Sequence, residues 1–197
     1  MPDKFLPPYS NVTEATKALA ALGWPVIPLC SHDHSGMSEQ HRKSCSRPGK
    51  MPLLKDWPNA SIPKPGTIDE WVRQWPSMNV GLVLGTRAGV VAIDVDGDYG
   101  EELLQQWSNG DLPDTLEFTT PGGGRRLMYA APYGIRSVKY VESHPDKSHE
   151  ECALLCDGQQ TVLPPSKHAN GGIYEWKEGK SPWEFSYQSP QHGWFSE

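Results

Sequence analysis

The stretch GVVAIDVDGD, from Gly89 to Asp98, decides the interpretation of this chain, because an apolar run leads directly into two aspartates. A buried β-strand accounts for the apolar run, and the glycine that follows the second aspartate ends it. Side chains two residues apart on a strand project from the same face. Asp94 and Asp96 are therefore expected side by side on one face, while Ile93 and Val95 point into apolar packing on the other.

Such a carboxylate pair needs a cation nearby. Two neighbouring carboxylates repel each other, which raises the pKa of each unless a positive charge lies between them. Oxygen ligands in this arrangement suit Mg²⁺ or Mn²⁺, and two such ions about 4 Å apart are a common device for nucleotidyl transfer. The alternative interpretation is a solvated strand end that leads into an Asp-Gly turn.

Two later segments favour the metal interpretation. TTPGGGRRLMY, residues 119–129, places three glycines before Arg125 and Arg126. Backbone N–H groups of such a loop can approach an anion, and arginines bind phosphate through two parallel hydrogen bonds. Together with the aspartates, this loop predicts a site for a phosphorylated ligand.

The other segment is CDGQQTVLPPSKHANGGIYEW, residues 156–176. It places Asp157 after an apolar strand and then a Pro-Pro turn that carries Ser166 and His168. The segment therefore adds a third carboxylate and two polar side chains to the candidate site.

Cysteine and histidine cluster in a third region, CSHDHSGMSEQHRKSC, which spans residues 30–45. In a reducing compartment, cysteines near histidines indicate a metal site more often than a disulfide. Cys30, His34, His41 and Cys45 form the symmetric pairs Cys-x3-His and His-x3-Cys, which predicts a structural Zn²⁺ site; His32 is the alternate ligand. The competing interpretation is a polar loop with free thiols.

Composition limits the remaining possibilities. The chain has 197 residues, with 24 acidic and 18 basic side chains and a net charge of −6. This balance argues against broad, non-specific adhesion to nucleic acid but leaves room for a local basic channel. No apolar run approaches the roughly 18 residues of a membrane span, and the first residues lack the pattern of a signal peptide. We expect a cytoplasmic protein that does not enter a membrane.

The order of predicted elements favours an α+β fold with antiparallel pairing. A helix opens the chain, and a second short helix is predicted at 67–75. NVGLVLG and GVVAIDVDG are predicted to pair as one hairpin, and the strands that flank PGGG as another. A further helix follows the aspartates, and the remaining segments read mostly as strands.

Six segments in this order resemble the primase-polymerase (prim-pol) branch of the archaeo-eukaryotic primase superfamily, which occurs in plasmids, phages and other mobile elements. They are GWPVIPL, CSRPGKMPLLKDW, EWVRQWPSMNVGLVLG, AGVVAIDVDGDYG, LPDTLEFTTPGGGRRLMY and DGQQTVLPPSKHANGGIYEW. The resemblance implies an RRM-like antiparallel catalytic sheet with a smaller N-terminal α/β unit packed against it. The catalytic domain would span residues 1–180, with the zinc-binding and basic insert at 30–50 and a C-terminal tail or linker at 181–197.

The resemblance also assigns metal ligands. The first family motif, two acidic residues that flank one other, falls on Asp94 and Asp96. The third motif, an acidic residue after a hydrophobic one, falls best on Asp157, with Glu151 as the weaker candidate. Two Mg²⁺ or Mn²⁺ ions would be held by these carboxylates.

The nucleotide-binding residues follow in the same way. The second family motif is small-x-His, and here it reads Gly124, Arg125 and Arg126, so arginine stands where histidine is expected. Arginine binds a triphosphate through a fork that stays charged near neutral pH. Arg126, Arg125, Lys50, Ser166 and His168 are the residues expected to bind the nucleotide.

The function expected from the resemblance is template-directed nucleotide addition, as a DNA primase or DNA polymerase, in the replication of a mobile element. Its partners would be a DNA template and primer, (d)NTPs, and a replicative helicase that is fused or separate. Two rivals are a repair-type nucleotidyltransferase that extends DNA ends, and a nucleic-acid or nucleotide binding module with a decayed active site, of which Arg126 would be the sign.

Overall fold

The structure, a computed structural model, describes residues 7–131, 139–147 and 149–185. Over these residues the fold is mixed α+β, with four α-helices and two antiparallel sheets of three and six strands. The predicted α+β class is confirmed. The described residues divide into two compact units, one formed by residues 7–83 and 160–175, the other by the described residues of 84–159 and 176–185.

The first unit is built around the three-stranded sheet. Its elements in chain order are α1 (Val12–Ala21), β1 (Val26–Leu29), α2 (Glu39–Ser44), α3 (Pro65–Gln74), β2 (Asn79–Val83) and β8 (Gln160–Val162). The sheet order is β1-β2-β8, and α1 contacts α3, β1 and β2. Asn11 begins α1, because its side-chain oxygen accepts a hydrogen bond from the backbone N–H of Glu14 at 3.0 Å.

The second unit contains the six-stranded sheet. Its elements are β3 (Val90–Asp96), α4 (Gly97–Ser108), β4 (Leu116–Thr119), β5 (Arg125–Ala130), β6 (Lys139–Ser143), β7 (Glu151–Leu155) and the short β9 (Glu175–Trp176). The sheet order is β6-β7-β3-β5-β4-β9, so β3 lies between β7 and β5.

Helix α4 covers one face of this sheet, which explains the alternation in β3. Ile93 and Val95 belong to one buried apolar cluster with Leu103 and Leu104 of α4. Residues at alternating positions of a strand project from opposite faces. The aspartates of β3 therefore project from the face that α4 does not cover, as the sequence predicted.

Most predicted elements are confirmed, including the opening helix, the helix near 67–75 and the hairpin around PGGG, which β4 and β5 form. The predicted hairpin between NVGLVLG and GVVAIDVDG is confirmed only at its turn, where Gly85 and Val90 form an antiparallel bridge. Strand β2 pairs with β1 and β8, whereas β3 pairs with β5 and β7, so the two runs belong to different sheets. Both are central strands, and a central strand is apolar whichever neighbours it has, so the pattern did not identify its partners.

Two other expectations concern the domain boundaries and membrane-spanning helices. The division into a catalytic domain at 1–180 and a tail at 181–197 stays a prediction, and residues 186–197 lie outside the described residues. In the part of the chain that the structure describes, every helix is too short or too polar to cross a bilayer.

Gly100 of α4 fixes how closely this helix approaches β7. A Cβ atom at Gly100 would overlap the backbone carbonyl oxygen of Glu151, which cannot swing away as a side chain would. We expect Gly100→Ala to lower the free energy of unfolding by about 1–3 kcal/mol, because α4 must separate from β7. Thermal unfolding followed by circular dichroism measures this change.

Gly66→Ala in α3 is the matched control, since nothing lies within 4 Å of its added Cβ. There the substitution should be neutral or stabilise by up to about 1 kcal/mol, because alanine favours helix. Equal effects of the two substitutions would contradict the close packing of α4 on β7.

Candidate active site and metal centre

The carboxylate pair lies near the end of β3, in the second unit. Asp94 is directly opposite Arg126 of β5, and Nη2 of Arg126 lies 2.5 Å from Oδ2 of Asp94. Only 11% of the Arg126 side chain and 19% of the Asp94 side chain are exposed. The guanidinium thus neutralises one oxygen of a largely buried carboxylate.

The other oxygen of Asp94 has a different environment. Its Oδ1 atom is buried and has no hydrogen-bond partner among the described residues. A buried acceptor without a partner is costly, more so when it carries charge. A divalent cation would satisfy this oxygen, so the residues present fit an oxygen-ligated Mg²⁺ or Mn²⁺ ion.

Gly124 allows the glycine loop to approach Asp96. A Cβ atom at Gly124 would overlap Oδ1 of Asp96 and lie 2.5 Å from the carbonyl oxygen of Val95. Glycine is therefore required at this position for steric reasons. The sequence had assigned the glycines to anion binding and did not reveal this contact, which depends on the pairing of β5 with β3.

Glu151 of β7 lies directly opposite Asp96 of β3. Paired residues of adjacent antiparallel strands project from the same face, so Glu151 shares the face of the aspartates. One of its oxygens, Oε2, accepts a hydrogen bond from the Ser143 hydroxyl at 3.1 Å. The register therefore places the weaker candidate of the sequence analysis on the same face of the sheet as the aspartate pair.

The structure does not bring Asp157 to the pair. Asp94 is opposite Ala153, and Asp157 lies four residues further along the chain, past the end of β7 at Leu155. Its Oδ1 accepts a hydrogen bond from the Thr86 N–H at 2.7 Å, and its carboxylate covers Gly85, where a Cβ atom would overlap it. The third family motif favoured Asp157, whereas the strand register favours Glu151.

Arg125 points to the opposite face from Arg126, toward α4. Its Nε and Nη2 atoms lie 2.6 and 2.7 Å from the two oxygens of Glu101, and Nη1 lies 3.4 Å from Glu117. The bond to Glu101 raises the pKa of Arg125 above its usual value. Its predicted role in nucleotide binding stays a prediction, beside this observed role in joining α4 to the sheet.

The remaining nucleotide-binding candidates belong to the first unit. Ser166 is fully buried, and its hydroxyl accepts from the N–H of Val80 at 3.0 Å and donates to the carbonyl of Val80 at 3.2 Å. The Nδ1 atom of His168 accepts from the backbone of Asn170 at 3.2 Å. The carbonyl of Lys50 accepts from the side chain of Gln160 at 3.0 Å. Their contact with a triphosphate stays a prediction.

The first unit also contains the predicted cysteine-histidine cluster. One ligand atom from each of Cys30, His34, His41 and Cys45 lies within 4.8 Å of the others. The two Sγ atoms are 3.9 Å apart, and the imidazole rings meet edge to face at 5.4 Å between centroids. His32 is not a member of this group, so the structure brings together the four residues that the sequence favoured.

Local structure explains this convergence. Ser38 begins α2 by accepting a hydrogen bond from the His41 N–H at 3.2 Å, and Cys45 follows the end of that helix. Cys30 follows β1, and its N–H donates to the carbonyl of Met51 at 2.8 Å. Leu29 and Pro52 also pair as an isolated bridge, so the two ends of the intervening loop lie side by side.

The pKa of His41 suits a metal site. Burial lowers the pKa of His41, and the nearby His34 lowers it further, which keeps the imidazole neutral and able to coordinate. Burial raises the pKa of the Cys30 thiol, and the adjacent Cys45 thiol also raises it. The Nε2 atoms of both histidines are buried without a partner among the described residues. A cation that replaces the thiol protons would satisfy the cluster.

The contact of Gly124 with Asp96 can be tested directly. We expect Gly124→Ala to weaken Mn²⁺ binding about tenfold, equivalent to about 1.4 kcal/mol, because the carboxylate of Asp96 must move. Electron paramagnetic resonance of free Mn²⁺ measures the affinity. Gly122→Ala is the control, since nothing lies within 4 Å of its added Cβ, and it should bind Mn²⁺ as the wild type does. Equal affinities for the two variants would contradict the proximity of Gly124 to a metal ligand.

Comparison with known proteins places the chain in a family. Residues 15–190, most of the chain, match the Prim-Pol family, described as the N-terminal domain of bifunctional DNA primase/polymerases. None of the curated proteins compared with the chain matches it. The family's activity implies DNA and nucleotides as substrates and divalent metal ions as cofactors. The chain therefore belongs to the Prim-Pol family and is a nucleotidyltransferase, a DNA primase/polymerase.

Proposed function

We propose that this chain adds nucleotides to a 3′-hydroxyl under the direction of a DNA template, with Asp94, Asp96 and Glu151 as its metal ligands. The observation that carries the proposal is the buried Oδ1 atom of Asp94, which has no partner among the described residues and lies on the face of Asp96 and Glu151. Three carboxylates on the same face of adjacent strands would supply an oxygen-only ligand set.

In this proposal the carboxylates position ions and do not transfer protons. When bound, the divalent ions lower the pKa of the attacking 3′-hydroxyl and neutralise the charge of the departing pyrophosphate. Asp94 and Asp96 are fixed by the ladder of β3, with β5 on one side and β7 on the other. Arg126 supplies a guanidinium fork that suits the oxygens of a triphosphate.

The strand order supports the RRM-like interpretation of the catalytic sheet. Four neighbouring strands have the order β7-β3-β5-β4, so β5 lies between β3 and β4, the two strands that α4 joins. This agrees with a split β-α-β arrangement. From the family resemblance we also propose that the protein acts in the replication of a phage, plasmid or other mobile element. A replicative helicase, fused or separate, would be its partner.

Primer extension with labelled dNTPs tests the role of the aspartates. We expect Asp94→Asn and Asp96→Asn each to reduce extension roughly 100-fold, equivalent to about 2.7 kcal/mol of transition-state stabilisation. Asp98→Asn is the control, because Asp98 is exposed on α4 and its extension rate should stay unchanged. Extension that survives the first two substitutions would refute the metal role, and DNA binding without extension by the wild type would favour the binding module.

The same assay shows which residue, Glu151 or Asp157, is the third metal ligand. We expect Glu151→Gln to reduce extension about as strongly as the aspartate variants, because the register places it opposite Asp96. Asp157→Asn keeps an oxygen that can accept from Thr86 and should retain most activity. The reverse result would restore Asp157 as the metal ligand.

We also propose that Cys30, His34, His41 and Cys45 bind one structural Zn²⁺ ion. Two thiolates and two imidazoles are a common ligand set of structural zinc sites. Support comes from the 4.8 Å grouping of the four ligand atoms and from the two buried imidazole nitrogens without partners among the described residues.

Metal analysis of the purified protein tests the zinc proposal. We expect one zinc per chain in the wild type, and loss of that zinc, with a lower melting temperature, in Cys45→Ser. His32→Ala is the control and should retain zinc, because His32 lies outside the four-residue group. Wild-type protein without zinc, or Cys45→Ser with full zinc, would count against the site.

A further inference from the structure

Arg126 and Asp94 form the ion pair on which a further inference rests. They are direct partners across β5 and β3, and the atoms Nη2 and Oδ2 are 2.5 Å apart. With 11% and 19% of their side chains exposed, both groups are largely withdrawn from water. The proposed metal ligand is therefore already neutralised by the chain's own cation.

We propose that Arg126 is a resident counter-cation of Asp94, which a metal ion and an incoming nucleoside triphosphate displace together. Arg126 thereby makes metal binding and nucleotide binding depend on each other. This inference rests on the proposed role of Asp94 as a metal ligand.

The energetic argument begins with the metal alone. A divalent ion at Asp94 would lie close to the guanidinium, and like charges a few ångströms apart repel strongly where water is scarce. Moving the guanidinium away leaves a largely buried charge without its partner, which is strongly unfavourable. Metal binding without nucleotide is therefore weak.

A triphosphate removes that cost. Its oxygens accept the guanidinium fork through two parallel hydrogen bonds, so Arg126 exchanges one anionic partner for another. The carboxylate of Asp94 then has both oxygens available for the metal. Arg125 cannot take this role from its observed position, because it points toward α4 and is paired with Glu101 and Glu117.

Thermodynamic linkage makes the effect reciprocal. If nucleotide raises metal affinity by some factor, metal raises nucleotide affinity by the same factor. An arginine at this position therefore favours simultaneous occupation of the site over binding of either ligand alone.

Removing the charge of Arg126 tests the inference with Mn²⁺ alone. We expect Arg126→Gln to bind Mn²⁺ at least about tenfold more tightly than the wild type without nucleotide, and Arg126→Lys to remain within about threefold of it. Arg73→Gln removes the same charge at an exposed position of α3 and should leave the Mn²⁺ affinity unchanged. Asp94→Asn identifies the binding that depends on this carboxylate, and thermal unfolding shows whether each variant is folded.

Equal Mn²⁺ affinity of wild type and folded Arg126→Gln would overturn the inference. If Asp94→Asn had no effect on Mn²⁺ binding in any background, the proposed metal site would fail as well, so the two failures are distinguishable.

Crystals of the wild type decide the question without any variant. With Mn²⁺ alone, the Arg126–Asp94 contact should persist, and with Mn²⁺ and a non-hydrolysable α,β-imido deoxynucleoside triphosphate it should be broken. A contact that persists with both ligands bound would overturn the proposal, as would one that Mn²⁺ alone breaks.

Discussion

The antiparallel register of β3 with β5 and β7 is the constraint on which the candidate active site depends. One ladder sets Asp94 opposite Arg126, and the other sets Asp96 opposite Glu151. A shift of one residue in either ladder would carry these side chains to the face that α4 covers. The apolar cluster under α4 opposes such a shift, because it would expose Ile93 and Val95. Burial on one face thus fixes the chemistry on the other.

The two arginines that follow the glycine loop place one positive charge on each face of the sheet. Arg125 and Arg126 are adjacent, yet Arg125 pairs with acidic residues near α4 while Arg126 pairs with Asp94. The contact of Arg125 with Glu101 joins α4 to the sheet. The Arg126–Asp94 pair lies beside the carboxylates of the proposed metal site, where the positive charge of Arg126 repels a metal ion and attracts a phosphate.

The sequence predicted what depends on local pattern and failed where distant strands had to be matched. The alternation around Asp94 was enough to predict the shared face of the aspartates, and the spacing of cysteine and histidine was enough to predict the four-residue cluster. The choice between Glu151 and Asp157, and the sheet to which β2 belongs, depend on pairings between residues far apart in the sequence. Periodicity carries no information about such partners, because a central strand has the same apolar pattern beside any neighbour.

The loop that carries the cysteine-histidine cluster leaves β1 and returns at almost the same point, since Cys30 bonds to Met51 and Leu29 bridges to Pro52. Its two stems are therefore held together by backbone hydrogen bonds. The entropy of closing a loop grows only slowly with its length. Exposed positions of this segment, such as Arg42, Lys43 and Ser44, can thus be exchanged or extended without disturbing the strands, which makes them natural places to graft new recognition elements.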